Sequence, residues 1–150
     1  ALLSVAGHLS QHAGGPSVFP ELPDEMKGKW KPSATAEERH RRSVYVAVRR
    51  NLRYPLIAAF DAPDANETCG RRFVTTTAPQ ALMLLNDKHV RGIATAFADR
   101  AVDAETAFRL ALGRSPDEVE RSAIQRFAAT HGLAEACHAL MNLNEFVFID

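Results

Sequence analysis

Asp87-Lys88-His89-Val90-Arg91-Gly92-Ile93-Ala94-Thr95-Ala96-Phe97-Ala98-Asp99-Arg100-Ala101 is the stretch that decides the fold class. Asp87 is a good N-cap, and Val90, Ile93, Ala94, Phe97, Ala98 and Ala101 recur at the 3, 4, 7, 8 and 11 residue offsets of one helical face. Working toward the C-terminus, Asp103 opens a helix over Ala104 to Leu112 that Gly113 closes. Ser115-Pro116-Asp117-Glu118 has the spacing of a capping box and starts a helix that ends before Gly132; a further helix covers about Ala134 to Leu143. Working toward the N-terminus, Thr76 or Thr77 caps a helix with Pro79 in its first turn. Ala81, Leu82, Leu84 and Leu85 make that helix apolar almost all round, which predicts burial. The expected fold is mainly α: a small helical bundle with Leu82, Leu85, Ile93, Phe97, Phe108, Leu112, Phe127 and Leu140 in its core.

The first half is less regular. Leu2, Val5, Ala6 and Leu9 share a helical face, so the chain is expected to begin inside a helix whose start lies upstream, as the C-terminal part of something longer. Gly14-Gly15-Pro16-Ser17 should end that helix near Ala13. Pro20, Pro23 and Pro32 surround the single Trp30 and predict an irregular arm over residues 18–35, anchored by the indole. Ser43-Val44-Tyr45-Val46-Ala47-Val48 alternates β-branched residues and reads as a short strand or one arm of a hairpin, although its flanks would also suit one long helix; the extended form is favoured. The chain is thus expected to be a single domain: helix plus arm over 1–35, basic segment and polar loop over 36–77, bundle over 78–150.

The 150 residues suffice for one core, and 46% hydrophobic with 24% charged residues is the composition of a folding chain. Eighteen basic against 18 acidic side chains cancel, which argues against a dedicated nucleic-acid or membrane-surface protein. No apolar run approaches the ~20 residues of a membrane span. Arg39, Arg41, Arg42, Arg49, Arg50 and Arg53 nevertheless occur together with no acid among them. The run could contact phosphates; a solvated or internally paired face is the favoured reading.

Sites of chemistry are sparse. His8 and His12 have the four-residue spacing of zinc-binding helices but lack the Glu of H-E-x-x-H and any third ligand, so no metal is expected. Asp61, Asp64, Asn66 and Glu67 form an oxygen-rich loop without EF-hand spacing, and Asn66-Glu67-Thr68 is a sequon. Cys137-His138 would suit haem attachment, but residue 134 is Ala, so no cofactor is expected on this chain. No G-x-S-x-G, P-loop or G-x-G-x-x-G occurs. Polar side chains concentrate in one segment: Asp61, Asp64, Asn66, Arg71, Arg72, Thr75, Thr76 and Gln80 are the candidate binding or organising residues. Arg71 or Arg72 can grip Asp61 or Asp64 with two parallel hydrogen bonds, and Gln80 offers both a donor and an acceptor.

The run Phe60-Asp61-Ala62-Pro63-Asp64, Cys69, Arg71-Arg72 and Thr75-Thr76-Thr77-Ala78-Pro79-Gln80-Ala81-Leu82 strongly resembles a planctomycete-type secreted domain family of unknown function. Gly14-Gly15-Pro16-Ser17-Val18, Arg41-Arg42-Ser43-Val44-Tyr45, Arg49-Arg50-Asn51, Leu112-Gly113-Arg114-Ser115-Pro116 and Asn142-Leu143-Asn144-Glu145-Phe146 carry the resemblance along nearly the whole chain. It implies a periplasmic or secreted location, a place C-terminal to another family-specific domain, and often a cytochrome-c-like domain that would hold any haem. It transfers no catalytic residue. Two functions follow as expectations: an interaction or scaffold module docking the upstream domain, a haem domain or a glycan, or part of an enzyme of polysaccharide use completed by upstream residues. Nucleic-acid binding through Arg39 to Arg53 rests on charge alone. Export would permit a disulfide between Cys69 and Cys137, worth about 3–4 kcal/mol in the chain-entropy model; two separate buried thiols are the equal alternative.

Overall fold

Capping and apolar spacing set the helices of a computed structural model that describes residues 1–62 and 78–148. The chain divides into two units, one of Ala1–His8 with Leu84–Asp150 and one of Leu9–Met83. Helices dominate, and no strand longer than an isolated bridge occurs among the described residues.

In the first unit the short helix α1 (Leu2–Val5) is followed in space by α5 (Lys88–Ala101), α6 (Ala104–Leu112), α7 (Glu118–His131), α8 (Leu133–Met141) and the short α9 (Asn144–Val147). Asp87 caps α5 as its sequence predicts, its Oδ1 accepting from the backbone N–H of His89 at 2.8 Å and of Val90 at 3.1 Å. The six periodic residues of α5 are all buried. They face α8, whose Ala136, Cys137, His138, Leu140 and Met141 are buried in turn, and α8 also packs on α6, α7 and α9. Asp103 caps α6 through Thr106, and Gly113 ends it in the left-handed conformation at φ +71° with its N–H on the Arg109 carbonyl. Ile93, Phe97, Phe108 and Leu140 of the expected core are buried. Leu112 is half-buried, while Phe127 is 39% exposed because α7 lays only its Ile124 and Ala128 side inward.

Two boundaries and one burial pattern differ from the sequence reading. Helix α1 stops at Val5, not near Ala13, because Gly7 takes φ +73° and closes a Schellman motif: His8 N–H donates to the Leu3 carbonyl at 2.9 Å and Gly7 N–H to Ser4 at 3.0 Å. Arg100 seals the same end, its Nη1 donating to the carbonyls of Ser4 and Val5. The capping box of α7 sits two residues later than predicted, on Asp117 and Glu120, each accepting the other's backbone N–H at 2.8 and 2.9 Å. Helix α4 (Ala78–Asn86) is not buried all round. It turns Gln80 and Leu84 inward and leaves Leu82 57% and Leu85 45% exposed, since a helix docked along one side can cover only one stripe.

The second unit has little regular structure: α2 (Ala36–Arg39), α3 (Pro55–Ala59), the start of α4, and single 3-10 turns at Asp24–Met26 and Ser43–Tyr45. Trp30 anchors the arm as expected. Its Nε1 donates to the Pro20 carbonyl at 2.8 Å, its ring meets Phe19 edge-on at 5.6 Å and stacks on Tyr54 at 6.3 Å. The Ser43–Val48 stretch is neither a strand nor part of a long helix. Only Val46 bridges to Val18, through Val18 N–H to the Tyr45 carbonyl and Ala47 N–H to the Val18 carbonyl, and Val44 and Val48 stay exposed. The 3-10 turn is what brings the Tyr45 ring under Arg41.

Candidate functional site

The segment running from Asp61 to Gln80 opens at a turn and closes in a helix. Asp61 follows α3 with φ +55°, a conformation a short polar side chain tolerates, and Gln80, only 4% exposed, comes from the first turn of α4. Gln80 Nε2 donates to Asp61 Oδ2 at 3.5 Å, so the two ends of the predicted polar segment meet. Asp64, Asn66, Arg71, Arg72, Thr75 and Thr76 lie outside the described residues, as does Cys69.

The arginine run is sorted by its surroundings. Arg39 pairs with Glu21 at 3.3 Å and donates to the carbonyls of Ser33 and Ala34. Arg41 is buried: Nη1 donates to the Pro16 carbonyl at 3.1 Å, Nη2 to those of His12 and Gly14, and the guanidinium lies 3.8 Å from the Tyr45 ring centroid. Tyr45 Oη accepts the Gly14 N–H at 3.0 Å, closing a knot in which Gly14 and Gly15 both take φ near +80°. Two stretches that carry the family resemblance, Gly14-Gly15-Pro16 and Arg41 to Tyr45, are therefore hydrogen-bonded to each other. Arg41 Nε is the one buried side-chain polar atom among the described residues without a hydrogen-bond partner. Arg42, Arg49 and Arg50 are exposed, and no carboxylate pairs with them among the described residues.

Cys137 and His138 are committed to packing. Cys137 is a free thiol, fully buried, and burial pushes its pKa up to about 12, so at neutral pH it stays protonated and a poor nucleophile. His138 Nε2 lies 2.8 Å from the Leu84 carbonyl; because a carbonyl only accepts, Nε2 carries the proton. His8 and His12 both follow the end of α1, so helical spacing does not align their rings. No group of three or more His, Cys, Asp or Glu with metal-binding placement occurs among the described residues.

Two surface arrangements escaped the sequence reading. Arg114, just after α6, donates to Glu120 from both Nη1 and Nη2 and to Glu145 from Nε and Nη2, at 2.7 to 2.9 Å, and lies 5.0 Å from the Phe108 ring centroid. The guanidinium holds the Glu120 carboxyl down to about 2, with the Asp117 N–H assisting, and lowers Glu145 as well. No spacing rule links residues 114 and 145, so only the fold could reveal this hub. The second is a stripe on α7: Val119, Ala123 and Phe127 are exposed, with Val119 at 77%, and the His131 ring extends the row at 4.5 Å from Phe127. The four-residue spacing 119, 123, 127 is present in the sequence, but only Phe127 draws an expectation there, as a core residue, and the structure leaves it 39% exposed.

These features define a mainly α-helical chain whose described surface offers basic and apolar patches, with the Cys137 thiol and the His138 imidazole held inside. The chain belongs to the PSD1 family, described as "Protein of unknown function (DUF1553)", whose family model matches residues 1–128. Searches of curated proteins and of solved structures each found no match. The expected kinship to a family of unknown function is met at that level.

Proposed function

We propose that this domain is a docking module of a larger exported bacterial protein, and that its partner is another domain of the same polypeptide. The supporting observation is the α7 stripe. A single exposed apolar side chain is ordinary, but Val119, Ala123 and Phe127 repeat at four-residue spacing on a 14-residue helix with no fully buried residue. Such a face has the pattern of half a helix interface, with Phe127 as the anchor and Val119 as a second contact eight residues, about two turns, away. Export and fusion to a cytochrome-c-like domain belong to this reading. Haem would sit on that neighbour, because Cys137-His138 has Ala134 where a second thiol is needed. The segment with Asp61, Asp64, Asn66, Arg71, Arg72, Thr75, Thr76 and Gln80 would organise the Leu9–Met83 unit in which it lies; the Gln80 to Asp61 contact supports that role.

No helix among the described residues is long and apolar enough to cross a membrane. The test is photo-crosslinking from position 123 in the full-length protein. Cross-links to peptides outside the 150 residues of this chain, lost in Val119→Asp with Phe127→Ser while far-UV circular dichroism is retained, are expected. Cross-links confined to this chain, or reaching only a different protein, overturn the proposal.

A further inference from the structure

Lys29, Arg49, Arg50, Asn51 and Leu52 line a hollow of about 540 Å³ in the second unit, open to solvent. Its lining carries three cations and no acid. By contrast Lys27, only two residues from Lys29, pairs with Asp24 at 2.6 Å. Lys29 and Arg50 are exposed and unpaired among the described residues.

The hollow is also held in shape. The backbone turns sharply from Arg49 to Leu52, with Leu52 N–H donating to the Arg49 carbonyl at 3.3 Å, which places Arg50 and Asn51 at the corner. Arg49 lies over the Phe19 ring, its guanidinium carbon 5.3 Å from the centroid. Phe19 is fixed in turn by Trp30 and by paired hydrogen bonds with Ser33, each 2.9 Å. A guanidinium set by an aromatic face loses less freedom on binding than one free in solvent.

We propose that this hollow binds the doubly charged phosphate monoester group of a small organic ligand. Three cations lining one hollow with no acid beside them suit a dianion better than a single carboxylate. Asn51 adds an amide donor for a further ligand oxygen. The volume lies within the roughly 300–1,000 Å³ typical of small-molecule sites and exceeds what a bare ion fills, and Leu52 offers apolar surface to the ligand's carbon skeleton. A nucleic-acid backbone is the less favoured occupant: Arg39 and Arg41, which would extend a phosphate track, are spent on internal contacts.

The experiment titrates the full chain with glucose 6-phosphate, glucose 6-sulfate, glucose 6-carboxylate (glucuronate) and a short single-stranded DNA, following amide chemical shifts at low salt. The wild-type protein is expected to bind glucose 6-phosphate, and more tightly than the singly charged glucose 6-sulfate, with shifts confined to residues of the 29 and 49–52 segments; a preference for the sulfate ester would overturn the dianion reading. Arg50→Gln and Lys29→Gln should each weaken binding at least fivefold. Arg42→Gln, an exposed arginine that does not line the hollow, should leave it unchanged. Equal binding of glucuronate, equal loss in all three variants, DNA bound in preference to the sugar esters, or no saturable shift in the wild type would each overturn the proposal.

Discussion

The two units of this chain are stabilised by different physics. In the helical unit, apolar side chains at 3.6-residue spacing cover one another, and Val90, Phe97, Cys137 and Met141 are sealed between α5 and α8. In the Leu9–Met83 unit, few side chains are fully buried, and those that are work by gathering backbone: Trp30 takes the Pro20 carbonyl, and Arg41 takes the carbonyls of His12, Gly14 and Pro16. The first arrangement tolerates polar change anywhere off the apolar stripe. The second depends on a few donors, each serving several acceptors that would otherwise be stranded.

The largest effect should come from the helical core. Phe97→Ala removes a fully buried ring and is expected to cost about 3–5 kcal/mol, seen as a lower urea midpoint in the far-UV circular dichroism of this helix-rich unit. A cost under about 1 kcal/mol would mean that α5 and α8 close over the gap. Next is Arg41→Ala, which strands three loop carbonyls and should cost about 2–3 kcal/mol, read in the fluorescence of Trp30, the chain's single tryptophan. Arg41→Lys should recover little, since an ammonium cannot reproduce the planar fork over Tyr45. An unmoved fluorescence transition in both variants would erase the proposed contrast between the units.

A smaller effect, of opposite sign, is predicted at Val102. This β-branched residue sits at φ +68° and is 80% exposed, so Val102→Gly relieves backbone strain while losing almost no packing. A gain of about 0.5–1 kcal/mol is expected after the entropic penalty of glycine, and a loss would show that the strain is absent. The smallest effect is a slope. Glu120 has its pKa lowered from 4.5 to about 2 in the folded protein, so its contribution is complete above pH 4.5 and disappears as pH falls toward 2. Thermal midpoints across that window should fall less steeply in Arg114→Ala than in the wild type; parallel curves would remove the Arg114 hub from the account.

Legibility follows the same division. Asp87, Asp103, Gly113 and Gly132 mark helix ends by local chemistry, and the α5 stripe repeats often enough to be unambiguous, so the bundle could be read from its residues. Helix α4 and Phe127 of α7 could not, because an apolar residue on a helix shows that a face is apolar without showing that another element covers it. Gly7 was a readable stop, overshadowed by the stronger Gly14-Gly15-Pro16 signal downstream. The Trp30 anchor was legible because proline density leaves a lone indole few other roles. The Arg41 knot was not: nothing in the spacing of 12, 14, 16 and 41 tells a charged side chain to turn inward. Of the candidate loop, the Asp61 and Gln80 ends are placed by α3 and α4, whereas the stripe on α7 and the basic hollow depend on tertiary neighbours that a linear pattern does not encode.

Cys137 turns the helical core into its own timepiece. A thiol that is sealed between helices and kept protonated can be alkylated only during the brief moments when α8 parts from its neighbours. In a chain carrying Cys69→Ser, the rate at which a small maleimide, in excess enough to outpace reclosing, captures residue 137 would therefore count openings of the native state, with no denaturant and no introduced reporter residue. The same residue that offers the protein no nucleophile records how often its interior breathes.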